Sequence, residues 1–78
     1  MLGRWSTHLE IDWWGADGGI VATESFKTRR HVQWRLRARF GAGNWRIRDG
    51  HVEVRQPYSR QWGEVGHLWE ESTFTVVE

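Results

Sequence analysis

Asp49-Gly50 constrains this chain more than any other feature, because an Asp-Gly pair between two apolar-alternating segments specifies a two-residue type I′ hairpin turn. Such a turn fixes the register of the strands that it joins. Arg48 then faces His51, Ile47 faces Val52, Arg46 faces Glu53 and Trp45 faces Val54. Apolar side chains meet at two rungs and an arginine meets a carboxylate at a third, so the chemistry of the rungs agrees with the turn.

The same period of two recurs elsewhere. From Trp5 to Trp13 the larger or β-branched residues Trp5, Thr7, Leu9, Ile11 and Trp13 alternate with Ser6, His8, Glu10 and Asp12, as in a half-buried strand. Gly15 to Gly19 interrupts, and Ile20 to Thr28 resumes as a second strand, hairpinned to the first. Val32, Trp34, Leu36, Ala38 and Phe40 alternate with His31, Gln33, Arg35, Arg37 and Arg39, which predicts a third strand. Pairing it with Trp45 to Arg48 places Arg39 opposite Arg46 and Arg37 opposite Arg48, a repulsive arrangement. Gln56-Pro57-Tyr58-Ser59 reads as a loop. Between Arg60 and Glu71, Trp62, Val65, Leu68 and Trp69 have roughly helical spacing, but Gly63 and Gly66 argue against a helix. Gly63 to His67 reads as a turn, and Thr73 to Val77 as a closing strand.

These segments predict one all-β domain over residues 1–78, an antiparallel meander of about six strands forming a small barrel or a strongly curved sheet. Its apolar face would carry Trp5, Leu9, Ile11, Trp13, Trp34, Leu36, Phe40, Trp45, Ile47, Val52 and Val54. A chain of 78 residues without cysteine has no disulfide to stabilise it. Seven tryptophans, each able to bury on the order of 200 Å², are one remedy, and homo-oligomerisation is the other. No apolar run approaches the roughly 20 residues of a membrane span, and Met1 to Trp5 lacks the apolar stretch of a signal peptide. The expectation is a cytoplasmic protein without a membrane partner.

The formal net charge of +1 conceals an asymmetry. Residues 27 to 60 hold Lys27 and nine arginines against Asp49 and Glu53, a local charge of +8, while both ends are acidic. Arginine forks suit phosphate and carboxylate, and arginines interleaved with exposed aromatics suit single-stranded nucleic acid. A pI near 8.4 is low for a dedicated nucleic-acid binder, so that partner ranks behind a small molecule. The internal alternative is pairing with Glu10, Asp12 and Glu53. Trp14, Trp62 and Trp69 fall outside the core alternation and, with Arg35, Arg37, Arg39 and Arg46, form the candidate ligand-binding set.

Glu10 and His51 are the candidate acid/base residues. His8, Glu10 and Asp12 share one strand face, with His51 and Glu53 as contributors from another strand. Same-face strand residues lie about 7 Å apart and no zinc motif of known spacing is present, so the expectation is no metal and no cofactor. Neither a phosphate loop nor a nucleophile elbow occurs.

Leu2-Gly3-Arg4-Trp5 and Gly43 to Val54, with Trp5 and Trp45 in matching positions, resemble the Gly-x-Trp strands of lipocalin-like (calycin) domains. That resemblance implies an antiparallel barrel, closed at one end by a tryptophan, around a small and often apolar molecule. Lipocalin barrels use eight strands, so here the barrel would be smaller or completed between subunits. Ile47 to Val52 followed by Tyr58 is also similar to the late strands of the nuclear-transport-factor-like cone fold of polyketide cyclases and limonene epoxide hydrolases. Residues Arg55 to Tyr58 lack the carboxylate which that chemistry uses.

The sequence thus predicts a small non-catalytic module, oligomeric, that holds a small apolar or anionic ligand between aromatic side chains and an arginine row. The alternatives are a β-barrel enzyme using the same pocket and a single-stranded nucleic-acid binder using the arginine face.

Overall fold

The computed structural model describes residues 2–77. Five strands form one antiparallel sheet: β1 (Leu2–Trp14), β2 (Ile20–Phe26), β3 (Trp45–Arg48), β4 (His51–Arg55) and β5 (Trp62–Val77). A single helix, α1 (Arg29–Phe40), joins β2 to β3. The strand order β2-β1-β5-β4-β3 leaves β2 and β3 as edges, so the sheet is open and is not a closed barrel.

Both hairpins have the expected partners. Asp49 and Gly50 take the positive φ values, 51° and 81°, that a type I′ turn requires, and all four rungs from Trp45↔Val54 to Arg48↔His51 form. β1 pairs with β2 from Leu9↔Phe26 to Trp14↔Ile20. The loop at Gln56 to Ser59 also lies where the proline places it.

Residues 31–40 depart from the expectation: they are helical, not a third strand. Their alternation contains a second period, because Val32, Leu36 and Phe40 are four apart and align on one helix face. Val32 and Leu36 are fully buried and Phe40 packs beside them. Thr28 caps the helix by accepting the His31 backbone N–H at 3.2 Å. Gly41, at φ 89°, ends it while donating its N–H to the Arg37 carbonyl at 2.9 Å. Trp34 is consequently outside the core, 74% exposed. The predicted Arg39–Arg46 and Arg37–Arg48 rungs do not exist, since those residues belong to different layers.

Residues 62–77 also depart, forming one long strand where a turn and a short strand were expected. β5 lies between β1 and β4. The ladder to β4 shifts register between Val52↔Gly66 and Glu53↔Glu64, leaving Val65 as the extra residue of a β-bulge. Gly66 is required there: a Cβ on it would lie 2.6 Å from the Asp12 carbonyl oxygen.

The core sits between α1 and one sheet face, with Leu9, Ile11, Trp13, Val32, Leu36 and Val52 buried. Trp45, Ile47, Val65 and Leu68 pack around it. Val54 is only half-buried. Trp5 does not join the core and is 71% exposed. It lies on a two-stranded arm in which Leu2–His8 pair only with Glu71–Val77, with its ring 5.2 Å from that of Phe74. The molecule is correspondingly elongated, 56 × 26 × 19 Å.

Candidate functional sites

The helix layer is purely basic, whereas the sheet carries charges of both signs. α1 carries five arginines and no carboxylate. Two are neutralised from the sheet, Arg35 by Glu24 at 3.0 Å and Arg29 by Glu70. Arg30 and Arg37 form no ion pair among the described residues and flank the exposed Trp34 at helical spacings of four and three.

Arg39 is held differently. Its guanidinium lies 4.5 Å from the ring centroid of Trp13 and 5.4 Å from that of Phe40. Beyond it, a cleft of about 790 Å³ opens between the end of α1, the end of β4 and the loop after it. Arg39, Arg55 and Arg60 line the cleft together with Asn44 and Gln56, and among the described residues no carboxylate lines it. None of the three arginines forms an ion pair among the described residues. Arg55 is instead steadied by the Trp62 ring, 5.2 Å away. Stacking on an aromatic face orients a guanidinium while leaving its in-plane N–H donors available. Two of the three guanidiniums are thus oriented by aromatic faces. Tyr58, in the same loop as Arg60, is wholly exposed.

The predicted ligand set is divided by this fold. Trp62 and Arg46 do come together, 4.2 Å from ring to guanidinium, but Arg46 is also tied to Glu53 at 2.8 Å. Arg35 and Arg37 lie on the opposite layer, so no continuous arginine row forms. Arg55 and Arg60 belong to the basic stretch of residues 27 to 60, but no local pattern joins them to Arg39, because the cleft is assembled from the end of α1, the end of β4 and the loop after it.

The uncovered sheet face is a polar surface. Thr23, Asp12, His67 and His51 form one row across β2, β1, β5 and β4. Asp12 accepts from the Thr23 hydroxyl and from the Trp69 indole N–H, both at 2.8 Å. The Trp69 ring lies 4.1 Å from that of His67, which meets the His51 ring edge-on at 5.1 Å. The expected Glu10–His51 pair does not form: Glu10 contacts His8 at 3.2 Å, and the carboxylate on His51 Nδ1 is Glu64, at 2.6 Å. The Glu64 hydrogen bond and charge raise the His51 pKa above its ordinary value of 6.5. The same hydrogen bond holds Glu64 below its ordinary 4.5, with the Trp14 indole adding to the effect.

A scan against protein-family models finds no match, and searches of the curated proteins and of the solved structures find none either.

A third feature is a cavity of about 530 Å³ between the N-terminal half of α1 and the β3–β4 hairpin. Val32, Trp45, Ile47 and Leu68 give it apolar walls, and Gln33 and the Arg29–Glu70 pair add polar groups. None of the predicted ligand residues lines it.

Proposed function

We propose that this chain is a non-catalytic binding module for an extended phosphate-bearing ligand, a single strand of nucleic acid, engaged at the Arg39, Arg55 and Arg60 cleft. One observation carries the reading: three arginines line a cleft that, among the described residues, no carboxylate lines, and two of them are oriented by aromatic rings. Phosphate oxygens match the planar fork of each guanidinium. Tyr58 beside the cleft, and Trp34 between Arg30 and Arg37 on the outer face of α1, offer ring faces on which bases can stack. The modest overall pI does not oppose this, because Glu24, Glu53, Glu64 and Glu70 are paired with Arg35, Arg46, His51 and Arg29, and none of them lines the cleft.

The apolar-walled cavity favours a second reading, a small apolar ligand at Trp45 and Ile47, as the lipocalin-like resemblance implies. In either case we place the module in a homo-oligomer. The arm exposes Trp5 and Phe74, a two-stranded ribbon is marginal alone, and a second copy of the arm supplies both the missing strands and the apolar cover.

The deciding experiment is anisotropy of a fluorescent random-sequence oligonucleotide with wild type, an Arg55→Ala/Arg60→Ala variant and Tyr58→Ala. The double variant should lose binding across all sequences, and Tyr58→Ala should cost about 1–3 kcal/mol. Oligonucleotide affinity unchanged by the arginine pair would overturn the reading. Absence of oligonucleotide binding together with uptake of an apolar dye, lost in Ile47→Trp, would favour the cavity.

A further inference from the structure

The bulge in β5 does more than relieve crowding at Gly66. In an uninterrupted strand, residues 64 and 67 point to opposite faces. One extra residue between them brings Glu64 and His67 to the same, uncovered face, while Val65 packs against the core. Across the ladder, His51 stands opposite His67, with Glu64 bonded to its Nδ1. The three side chains thus converge from two strands, and a ligand atom from each lies within 4.8 Å of those of the others.

We infer that His51, Glu64 and His67 form a binding site for a divalent transition-metal ion of the zinc class. Two imidazoles and one carboxylate are the donor set of many open zinc sites, and the softness of imidazole disfavours calcium and magnesium. Ligand atoms around tetrahedral zinc stand about 3.4 Å apart, given bond lengths of about 2.0–2.1 Å. Reaching that value requires the 2.6 Å His51–Glu64 contact to open and the wider spacings, up to 4.8 Å, to close. All three residues are reachable from solvent, which leaves a fourth position for water.

Neighbouring residues pack around the ligands. Trp69 packs against the His67 ring and is anchored by its N–H to Asp12. Gly50 leaves room for His67, since a Cβ there would fall 2.9 Å from its Nε2. Asp49 and Glu53 act electrostatically on His51 as well, and Glu53 is itself paired with Arg46. The arginines of the cleft do not contribute, and the inference stands independently of the nucleic-acid reading.

The test is calorimetric titration of the full chain with zinc chloride, beside NMR of the four histidine rings. Zinc should bind with one ion per chain and move the ring signals of His51 and His67, leaving those of His8 and His31 in place. His67→Gln and Glu64→Gln should each weaken binding by about tenfold or more, and His8→Gln should not. The NMR arm keeps the test decisive if a variant fails to fold. No zinc binding by wild type, or binding that moves His8 or His31 instead, would overturn the assignment.

Discussion

Replacing Leu36 and Trp34 in turn by alanine separates the helix observed at residues 29–40 from the strand that their alternation suggests. On a strand the two side chains share a face and would cost alike. On α1 they lie on opposite sides: Leu36 is completely buried and Trp34 is 74% exposed. Leu36→Ala removes a core side chain beneath the helix, with a cost of about 3 kcal/mol within the range for buried leucines. For a domain of this size that lowers Tm by about 12–24 °C. Trp34 buries about a quarter of its roughly 200 Å², worth about 1 kcal/mol at 25 cal/mol/Å², and the higher helix propensity of alanine returns about 0.5 kcal/mol. The net change at Trp34 is thus under about 1 kcal/mol. Urea unfolding followed by far-UV circular dichroism measures both without relying on tryptophan emission. Equal losses for Trp34→Ala and Leu36→Ala would refute the helix and restore the strand.

Other expectations follow from single contacts. Gly66→Ala drives a Cβ against the Asp12 carbonyl, a backbone atom that cannot turn aside, and should destabilise by about 1–3 kcal/mol in the same urea assay. Because the His51 pKa is raised and that of Glu64 is lowered, their pair stabilises fully between pH 4.5 and 6.5. The contribution fades as pH rises through the raised His51 value or falls through the lowered Glu64 value. With a chelator present, an NMR titration of Glu64→Gln should therefore show the His51 pKa falling towards 6.5; an unchanged value would mean that Glu64 is not its partner. Trp5→Ser combined with Phe74→Ser should reduce the sedimenting mass to that of one chain, and a mass unaffected by the change would locate any self-association elsewhere.

How much was legible in the sequence depended on how locally each feature is determined. Asp49-Gly50 sets its own φ values, and the four rungs flanking it need no distant partner, so that hairpin and its register could be read directly. The segment from Val32 to Phe40 is ambiguous because every second member of its alternation, four residues apart in the chain, also satisfies a helix, while Trp34 and Ala38 are apolar without being buried. Thr28 before it and Gly41 after it are the capping signals that distinguish the two, and they lay outside the alternating window. In β5, Gly63 and Gly66 look like turn residues. Their role is to let a bulged strand run close to its neighbours, which only the adjacent Asp12 backbone and Gln56 side chain reveal.

The candidate sites were harder still. His51 was singled out, but a bulge changes which residues share a face, so Glu64 and His67 could not be assigned to it by counting in twos. Arg39 likewise belonged to the expected set, yet its companions Arg55 and Arg60 come from a different hairpin and from the loop that follows it. Arg37 and Arg46, grouped with Arg39 by sequence, are separated from it by the change from strand to helix.

The most direct test of the proposed function is the salt dependence of oligonucleotide affinity in the wild-type chain. Three phosphate-contacting arginines on a single strand predict that log K falls with log salt at a slope of about −2. A slope near that value, lost with Arg55→Ala/Arg60→Ala, is the outcome that the account requires. No binding even at low salt, or an affinity indifferent to salt, would contradict it.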